Sequence, residues 1–146
     1  MSSRRVKRSA FVLLRCIDTE EILCVINNKG MIGLPGGKEE KQDRSSQFLN
    51  AKREFKEETG NRLPCKIKYK YIGWGEQWHD IRIYYADISL EIADSLKVGV
   101  VNDPDSSIKE CQWLLVEVLL NKSDPKILYH IKIAFSQWKS RLSVKI

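Results

Sequence analysis

The amino-acid sequence predicts an α/β (α+β) fold, because strand-like and helix-like segments both recur along it. The strand-like segments are short runs in which apolar residues are continuous or alternate with polar ones. They cover residues 9–16, 21–26, 31–34, 66–72, 81–88 and 111–118. Two longer segments, residues 45–59 and 124–142, repeat apolar side chains at helical spacing. A chain of 146 residues is expected to form one domain with a sizeable core, here residues 9–146 after a basic tail at residues 1–8.

The composition is that of a soluble globular protein. Charged residues make up 30% of the chain and hydrophobic residues 42%, and no apolar run approaches the roughly 18 residues that a membrane span needs. The apolar run at residues 10–14, after the basic N-terminus, is too short for a secretory signal. Four cysteines form no C-x-x-C pair. We therefore expect free thiols in a reducing compartment, the cytoplasm.

The chain is basic, with a formal net charge of +6 and a pI near 9.2. Such a charge suits a polyanionic substrate or ligand. Much of the excess comes from the tail, through Arg4, Arg5, Lys7 and Arg8, and a basic tail is also common as a solvated chain end. Residues 66–72 alternate basic with apolar side chains, which predicts a half-buried strand with Lys66, Lys68 and Lys70 on one face.

Loops are predicted from turn-forming and aromatic residues between these elements. Polar turns are expected at residues 17–20 and 27–30. Residues 73–80 predict a loop rich in aromatic side chains, and residues 91–108 predict an irregular segment. The final helix is expected to begin at Ser123 or Asp124, and its apolar stripe is interpreted as core.

A glycine pair precedes the first helix. Gly36 and Gly37 follow the apolar residues 31–35, which predicts a sharp loop where backbone approaches another group closely. Ser45 or Ser46 is expected to cap the helix, and Gly60 stands where a helix C-terminal glycine belongs.

Three glutamates project from one side of that helix. Glu54 lies three residues before Glu57 and four before Glu58, so their carboxylates are neighbours and repel by roughly 0.2–0.5 kcal/mol per pair. A hard divalent cation reverses that repulsion, because Mg²⁺ binds oxygen ligands. The alternative is a solvated acidic patch neutralised by neighbouring basic residues such as Lys52 and Lys56.

These residues resemble the Nudix box, the pattern G-x5-E-x7-R-E-U-x-E-E-x-G-U in which U is aliphatic. The second half is matched by Arg53, Glu54, Glu57, Glu58 and Gly60, with Phe55 at the first U. Gly37 matches the first glycine, and Leu34-Pro35-Gly36-Gly37-Lys38 resembles the usual lead-in.

The sequence departs from the box in three places. Asp43 stands at the position of the first glutamate, nine residues rather than seven separate it from Arg53, and Asn61 replaces the last aliphatic residue. We interpret the spacing as a two-residue insertion in the loop before the helix. That interpretation leaves the metal-binding half intact and puts the Asp43–Arg53 pairing in doubt. It predicts that Asp43→Ala would cost under ~1 kcal/mol, as ordinary surface changes do.

The resemblance implies a mixed sheet between helices, an α/β/α sandwich. It also implies a metal-dependent hydrolase that cleaves a diphosphate linkage in a nucleoside diphosphate joined to another group. Glu54 and Glu58 would be the principal Mg²⁺ or Mn²⁺ ligands, and Glu57 a further ligand or the general base. Gly36, Gly37 and Lys38 would form the phosphate cradle, with a Gly37 carbonyl on the metal. Arg53 would hold the loop and the glutamates in place.

Further candidates lie outside the box. Glu110, before Gln112-Trp113, and Glu76 are possible bases by analogy with family members that carry the base on a later loop; the alternative is a surface glutamate. Trp74 and Trp78 are candidates for stacking on a base, worth roughly 1–3 kcal/mol per base, or for packing in the core. His79 and His130 have no partner at a catalytic spacing.

Several functions remain compatible with this pattern. A pyrophosphohydrolase with this box acts on nucleoside triphosphates or damaged nucleotides, on dinucleoside or inositol polyphosphates, or on a capped or triphosphorylated RNA 5′ end. A catalytically weak module that binds nucleotide or RNA is an alternative, although the presence of all three glutamates favours activity. A purely structural domain has no feature in its favour. No membrane association is expected, and the sequence leaves the oligomeric state open.

Overall fold

The computed structural model describes residues 6–44, 46–76, 78–103, 107–121, 124–128, 131–132 and 134. Its strands are β1 (Lys7–Cys16), β2 (Glu21–Asn27), β3 (Ile32–Gly33), β4 (Gly36–Lys38), β5 (Lys70–Glu76), β6 (His79–Ile88), β7 (Gly99–Val100) and β8 (Ile108–Leu115). Its helices are α1 (Gln47–Thr59), α2 (Leu90–Ser95) and α3 (Val116–Leu119), and a short 3-10 turn covers Lys41–Asp43.

The strands form one mixed sheet in the order β5-β6-β1-β2-β8-β7, with β3 beside β2 and β4 beside β1. The β1–β6 pair is parallel over ten residues, and the other pairs are antiparallel. A parallel pair needs a long crossover, and the chain between β1 and β6 contains the glycine pair and α1. The predicted mixed sheet is therefore confirmed.

A fork between β1 and β2 places the glycine pair inside the sheet. The two strands pair at Arg15–Ile22 and Cys16–Glu21, and β4 pairs with the other half of β1 at Ser9–Phe11. The Val12 N–H donates to the Pro35 carbonyl at 2.8 Å. The backbone of the predicted phosphate loop is thus held as a strand against the centre of the sheet.

Helical residues cover both faces of the sheet. Successive residues of β1 point to opposite faces: Val12 packs in one cluster with Ala51 and Phe55 of α1, while Leu13 packs in another with Ile127 and Ile131 near the C-terminus. The second cluster also contains the buried residues of α3, Val116 and Leu119. This arrangement confirms the predicted α/β/α sandwich.

The bounds of α1 agree closely with the sequence prediction. The Ser46 side chain accepts a hydrogen bond from the Leu49 N–H, and Gly60 ends the helix in the left-handed conformation. Asn61, where the box has an aliphatic residue, is buried because its side chain bonds both backbone groups of Lys97, at 2.9 Å each. This side chain replaces apolar packing by a polar connection between the end of α1 and the segment before β7.

The strand predicted at residues 66–72 is wrong in its first half. β5 begins at Lys70, and Lys66 has a positive φ of 63°. The segment before β5 folds on itself, with the Tyr69 hydroxyl donating to the Pro64 carbonyl at 2.7 Å. Lys66, Lys68 and Lys70 therefore do not share one strand face, because only Lys70 lies in the strand.

The aromatic loop predicted at residues 73–80 is largely strand. β5 continues to Glu76 and β6 begins at His79, in register from Lys70–Tyr85 to Glu76–His79. The glycines in this segment suggested a loop, but Gly73 and Gly75 pair with Arg82 and Asp80 across the hairpin. Between the two strands, the described turn residue is Trp78.

The later part of the chain is more regular than expected. Residues 91–108 include most of α2, which Ser89 caps through the Ile92 N–H, and the short strand β7. The strand predicted at residues 111–118 begins at Ile108 and ends at Leu115, where α3 begins. Local pattern missed these changes because α2 and β7 are each short.

The final helix begins later than predicted. Residues 124–126 form a turn, and Ile127 forms a parallel bridge with Ile32. Residues 131, 132 and 134 are helical, and Ile131 and Ala134 are buried as the core interpretation requires. Ser123 and residues 135–142 of the predicted helix, like residues 1–5 of the predicted tail, lie outside the described residues. No helix in the described part of the chain is long and apolar enough to cross a membrane.

Candidate active site

The glycine loop and α1 are joined by direct hydrogen bonds. The Gly36 N–H donates to Glu58 Oε1 at 2.8 Å, and Asn50 Nδ2 donates to the Gly37 carbonyl at 3.0 Å. A Cβ atom at Gly37 would lie 2.8 Å from the carboxyl carbon of Glu54. The close approach that the glycine pair predicts therefore exists, and it is an approach to the predicted metal ligands.

Arg53 joins the glycine loop to several carboxylates, and Arg53 with these partners is here called the hub of the site. Its Nη1 lies 2.9 Å from Glu54 Oε1, 3.0 Å from Glu57 Oε2 and 3.0 Å from Glu40 Oε2. Its Nη2 donates to the Lys38 carbonyl at 3.1 Å. The structure thus places Arg53 where the resemblance implies, between the loop and the glutamates.

Asp43 completes this hub, which corrects the prediction of a tolerant surface residue. Arg53 Nε donates to Asp43 Oδ1 at 2.9 Å, and Arg53 Nη2 donates to Asp43 Oδ2 at 3.1 Å. The Glu40 N–H also donates to Asp43 Oδ2, at 2.8 Å. Asp43 is only 2% exposed. The two-residue insertion does not disturb the pair, because Arg44 adopts the left-handed conformation and lets the chain turn between Asp43 and α1.

The charge state of the hub follows from these contacts. Burial alone would raise the pKa of Asp43, but the hydrogen bonds from Arg53 and from the Glu40 N–H outweigh it and lower that pKa. The hydrogen bond to Asp43 likewise raises the pKa of Arg53. This pair therefore stays ionised and acts as a fixed brace for the glutamates.

The pKa values of the neighbouring glutamates, Glu54 and Glu58, are raised rather than lowered. Burial raises the pKa of Glu54 to about 7, although Arg53 acts against it. Burial also raises the pKa of Glu58 to about 8, against the Gly36 hydrogen bond and with help from the charges of Glu54 and Asp103. Among the described residues, the four carboxylates of Glu40, Asp43, Glu54 and Glu57 share one ion-pair partner, Arg53, so this cluster has more negative than positive charge.

Two polar residues of this site are missing from the sequence prediction. Asn50 is fully buried and joins the Gly37 carbonyl to Arg53 Nη2. Asp103 is buried after β7, where its Oδ2 accepts from the Ser107 and Ile108 N–H groups, and its charge acts on Glu58. The polar run around Asp103 suggested a solvated loop, and nothing in its local pattern indicates that it approaches Glu58.

The donor set fits a hard divalent cation, although its side chains are not yet arranged as ligands. Within the described ranges, no three carboxylate, imidazole or thiolate groups converge on one point as a metal site. The reason is visible in the contacts: Arg53 holds an oxygen each of Glu54 and Glu57, and the Gly36 N–H holds one of Glu58. Buried carboxylates with excess negative charge are the oxygen ligands that Mg²⁺ and Mn²⁺ prefer.

The predicted base-stacking residues lie in different environments. Trp74 is in β5, partly buried against the cluster that contains Ile127 and Ile131, and its indole Nε1 has no hydrogen-bond partner among the described residues. Trp78 is in the turn after β5, is 46% exposed and has a positive φ of 62°. Lys38 ends β4 and is exposed.

Of the two candidate bases outside the box, Glu110 is not brought to the glutamates. Glu110 lies in β8 opposite Ile26, and alternation along the strand gives it the face of Leu114, which packs with Ile127 and Ile131. α1 covers the other face. Glu76 ends β5, and its side chain is outside the described part of the structure. Among the candidate bases whose side chains the structure describes, Glu57 is the one that lies beside Glu54, since Arg53 contacts both.

Known structures resemble this chain over most of its length. The NUDIX domain of Shewanella oneidensis NrtR, complexed with ADP ribose, matches 98% of this chain and 91% of its own, with 17% identity and a TM-score of 0.66. The MutT protein of Methanosarcina mazei Go1 matches 95% and 96%, with 17% identity and a TM-score of 0.60.

A third match is part of a larger protein. The bifunctional NMN adenylyltransferase/ADP ribose pyrophosphatase of Francisella tularensis, complexed with AMP and a Mn ion, matches 95% of this chain with 15% identity and a TM-score of 0.67. The match spans 42% of that longer chain. No protein-family model and no curated protein matches the sequence. The resemblance in the box is thus confirmed at the level of the fold, and this chain forms a Nudix-fold domain.

Proposed function

We propose that this protein is a divalent-metal-dependent pyrophosphohydrolase. Its substrate is a nucleoside diphosphate linked to another group, and the bond cleaved is the diphosphate linkage. The observation that carries the proposal is the hydrogen bond from Gly36 to Glu58 beside the contact of Gly37 with Glu54. These contacts place the glycine backbone, which suits a phosphate group, against the carboxylates of Glu54 and Glu58, which suit a cation.

The residues of the chain divide the work. Glu54 and Glu58 hold the cation, beside the Gly37 backbone that lies against Glu54. The cation, when bound, neutralises phosphate charge and activates the attacking water. Glu57 is the general base, and it is 28% exposed, so water reaches it. Arg53, braced by Asp43, orients Glu54 and Glu57.

The structural neighbours support a nucleotide substrate. One is complexed with ADP ribose, another carries an ADP ribose pyrophosphatase and was seen with AMP and manganese. Both ligands contain an adenosine joined to phosphate, which agrees with a nucleoside diphosphate derivative here. The hypothesis of an RNA 5′-end substrate is less well supported, because Lys66 and Lys68 lie outside β5 and do not form a continuous lysine face with Lys70.

The test is a substrate panel with Mg²⁺ and with Mn²⁺. ADP-ribose, dinucleoside polyphosphates, nucleoside triphosphates and a capped RNA are incubated with the protein, and the products are identified by mass. The expected result is cleavage between two phosphates of at least one nucleotide, and none in EDTA. Absence of cation-dependent cleavage across the panel would contradict the proposal.

One observation favours a second function, a nucleotide-binding module with weak or no turnover. Arg53 occupies an oxygen of both Glu54 and Glu57, and these side chains must turn toward a cation before they act as ligands. Calorimetry on the same panel separates the two functions, because a module binds nucleotide without releasing products.

A further inference from the structure

A second concave site lies on the outer side of α1. It is a cavity of about 670 Å³ between the helix and the segment that follows it, within the size range of small-molecule sites. Arg53 and Asp43 contribute to its lining, whereas Glu54, Glu57 and Glu58 do not. The cavity therefore lies beside the hub and apart from the candidate metal ligands.

The lining carries three cations for which the described residues provide no ion-pair partner. Lys52 and Lys56 are one helical turn apart on α1, and Arg62 follows the helix. All three are exposed, and none pairs with an acidic side chain in the part of the chain that the structure describes. Like charges gathered at one cavity repel each other, and an anion of several charges relieves that repulsion.

The same cavity also has an apolar wall. Leu49 is 41% exposed there, and Leu63 and Pro64 complete the wall. A purely inorganic anion makes no use of such a surface, whereas a ligand with a planar ring buries area against it. A nucleic-acid strand would need a basic groove that extends along several nucleotides, whereas the three cations here gather at one pocket of limited volume.

We propose that this cavity, here called the outer pocket (lined by Leu49, Lys52, Lys56, Arg62, Leu63 and Cys65), binds a small phosphorylated molecule with a ring, of the size of a nucleoside diphosphate. The phosphates contact Lys52, Lys56 and Arg62, and the ring packs against Leu49 and Leu63. Binding here does not depend on hydrolysis at the glutamates and does not require a divalent cation.

Cys65 provides a reporter of occupancy. It lines the outer pocket and is exposed, whereas Cys16, Cys24 and Cys111 are buried. Alkylation by N-ethylmaleimide, followed by intact mass in EDTA, therefore measures access to the pocket. ADP and inorganic tripolyphosphate are expected to slow the alkylation in a saturable way, and sodium chloride of equal ionic strength is not.

Substitutions test the cationic side and the apolar side of the outer pocket separately. Lys56→Ser is expected to weaken protection by both probes about tenfold, as loss of one charge-assisted contact does, and the Lys52→Ser/Lys56→Ser/Arg62→Ser variant is expected to lose it. Leu49→Ser is expected to weaken ADP about three- to tenfold and to leave tripolyphosphate unchanged. Lys29→Ser/Lys109→Ser/Lys126→Ser and Leu90→Ser, which change exposed residues elsewhere, are the matched controls.

Other outcomes would overturn the proposal. Equal protection in the triple variant and in its control would remove the role of these cations. Loss of protection in Glu58→Gln would mean that ADP binds at the glutamates instead. Protection by a short single-stranded RNA at far lower nucleotide concentration than by ADP would indicate a strand-binding surface. Since hydrolysis is not measured, a negative result here leaves the proposed function standing, and the reverse also holds.

Discussion

Asp43 and Glu58 are both buried carboxylates of one small site, and their pKa values move in opposite directions. Asp43 receives two hydrogen bonds from a guanidinium and one from a backbone N–H, so its pKa is lowered. Burial raises the pKa of Glu58 to about 8, and the charges of nearby carboxylates add to this shift against one backbone hydrogen bond.

This difference separates a brace from a binding site. The ionised form of Asp43 is already satisfied within the protein, and a further partner would gain little. The ionised form of Glu58 is costly, and the proposed cation would offset that cost. A site of this kind needs both, because carboxylates held for a metal repel each other and must be kept in place by a pair that does not depend on the metal.

The strongest test of the brace is Arg53→Met. This variant leaves Asp43 buried without its cation, and we expect the free energy of unfolding to fall by about 3–5 kcal/mol, as in other broken buried pairs. Urea unfolding measures it. Arg62→Met, an exposed arginine after the same helix, is the control and should change stability by less than about 0.5 kcal/mol. Equal effects in the two variants would refute the brace.

The roles proposed for the glutamates of α1 are tested by measuring catalysis. Glu57→Gln removes the proposed base while keeping the shape of the side chain, and it should lower kcat about 10²-fold or more. The melting temperature should remain near that of the wild type, because Glu57 is the more exposed of the two glutamates that Arg53 holds on α1. Glu110→Gln is the matched control. Loss of activity in Glu110→Gln but not in Glu57→Gln would indicate that the general base is Glu110, outside the box.

Stability against pH distinguishes the two carboxylates without any substrate. In the metal-free protein, burial raises the pKa values of Glu54 and Glu58 to about 7 and about 8, above the ordinary value of 4.5 for a glutamate. The folded state then binds more protons than the unfolded one, so stability falls as pH rises from about 4.5 to about 8.

We expect a loss on the order of 4 kcal/mol between pH 5.5 and pH 8.5, because each pH unit below a raised pKa is worth up to about 1.4 kcal/mol and solvent screening reduces the share of Glu54. Because the pKa of Asp43 is lowered, its contribution has the opposite sign and is lost only below pH 4. Glu58→Gln should flatten the loss at high pH, and Mn²⁺ should raise the melting temperature more at pH 8 than at pH 5.5. A flat profile in the wild type would contradict the raised pKa values.

Asp43→Ala is expected to cost about 1–3 kcal/mol, less than Arg53→Met, because Arg53 keeps its three glutamate partners when Asp43 is removed. Asp43→Asn is the companion variant, since it keeps the volume and loses the charge. Denaturant midpoints of both measure the effect. A cost under ~1 kcal/mol for Asp43→Ala, as for ordinary surface changes, would show that this loop is tolerant after all.

The smallest effect is expected at the lysines before β5. Lys66 and Lys68 lie outside the strand, so Lys66→Ser/Lys68→Ser should leave kcat/KM for a nucleotide and for a capped RNA unchanged. The same rates and salt dependence as in the wild type would confirm that no continuous lysine face binds RNA. A selective loss on RNA would contradict this reading of the structure.

Local pattern was sufficient for the parts of this fold that local physics determines. The alternation in β6, the cap at Ser46 and the terminal Gly60 each act within a few residues, and their elements were predicted nearly to the residue. The three glutamates share a helix side for the same reason.

The parts that were missed depend on distant partners. Asp43 meets Arg53 because a left-handed Arg44 turns the chain back, and Asp103 approaches Glu58 from the segment after β7. The glycines of β5 are strand residues because β6 pairs with them. No window of neighbouring residues contains that information.

The side-chain bond between Asp43 and Arg53 has a consequence for how such sites diverge. Asp43 and Arg53 contact each other through their side chains, so the number of residues between them need not change the positions of the glutamates. The turn at Arg44 accommodates the two extra residues. The loop is thus a place where chain length can drift while the chemistry is conserved. A search pattern with a constant interval between the acid and the arginine would pass over chains that keep the same geometry.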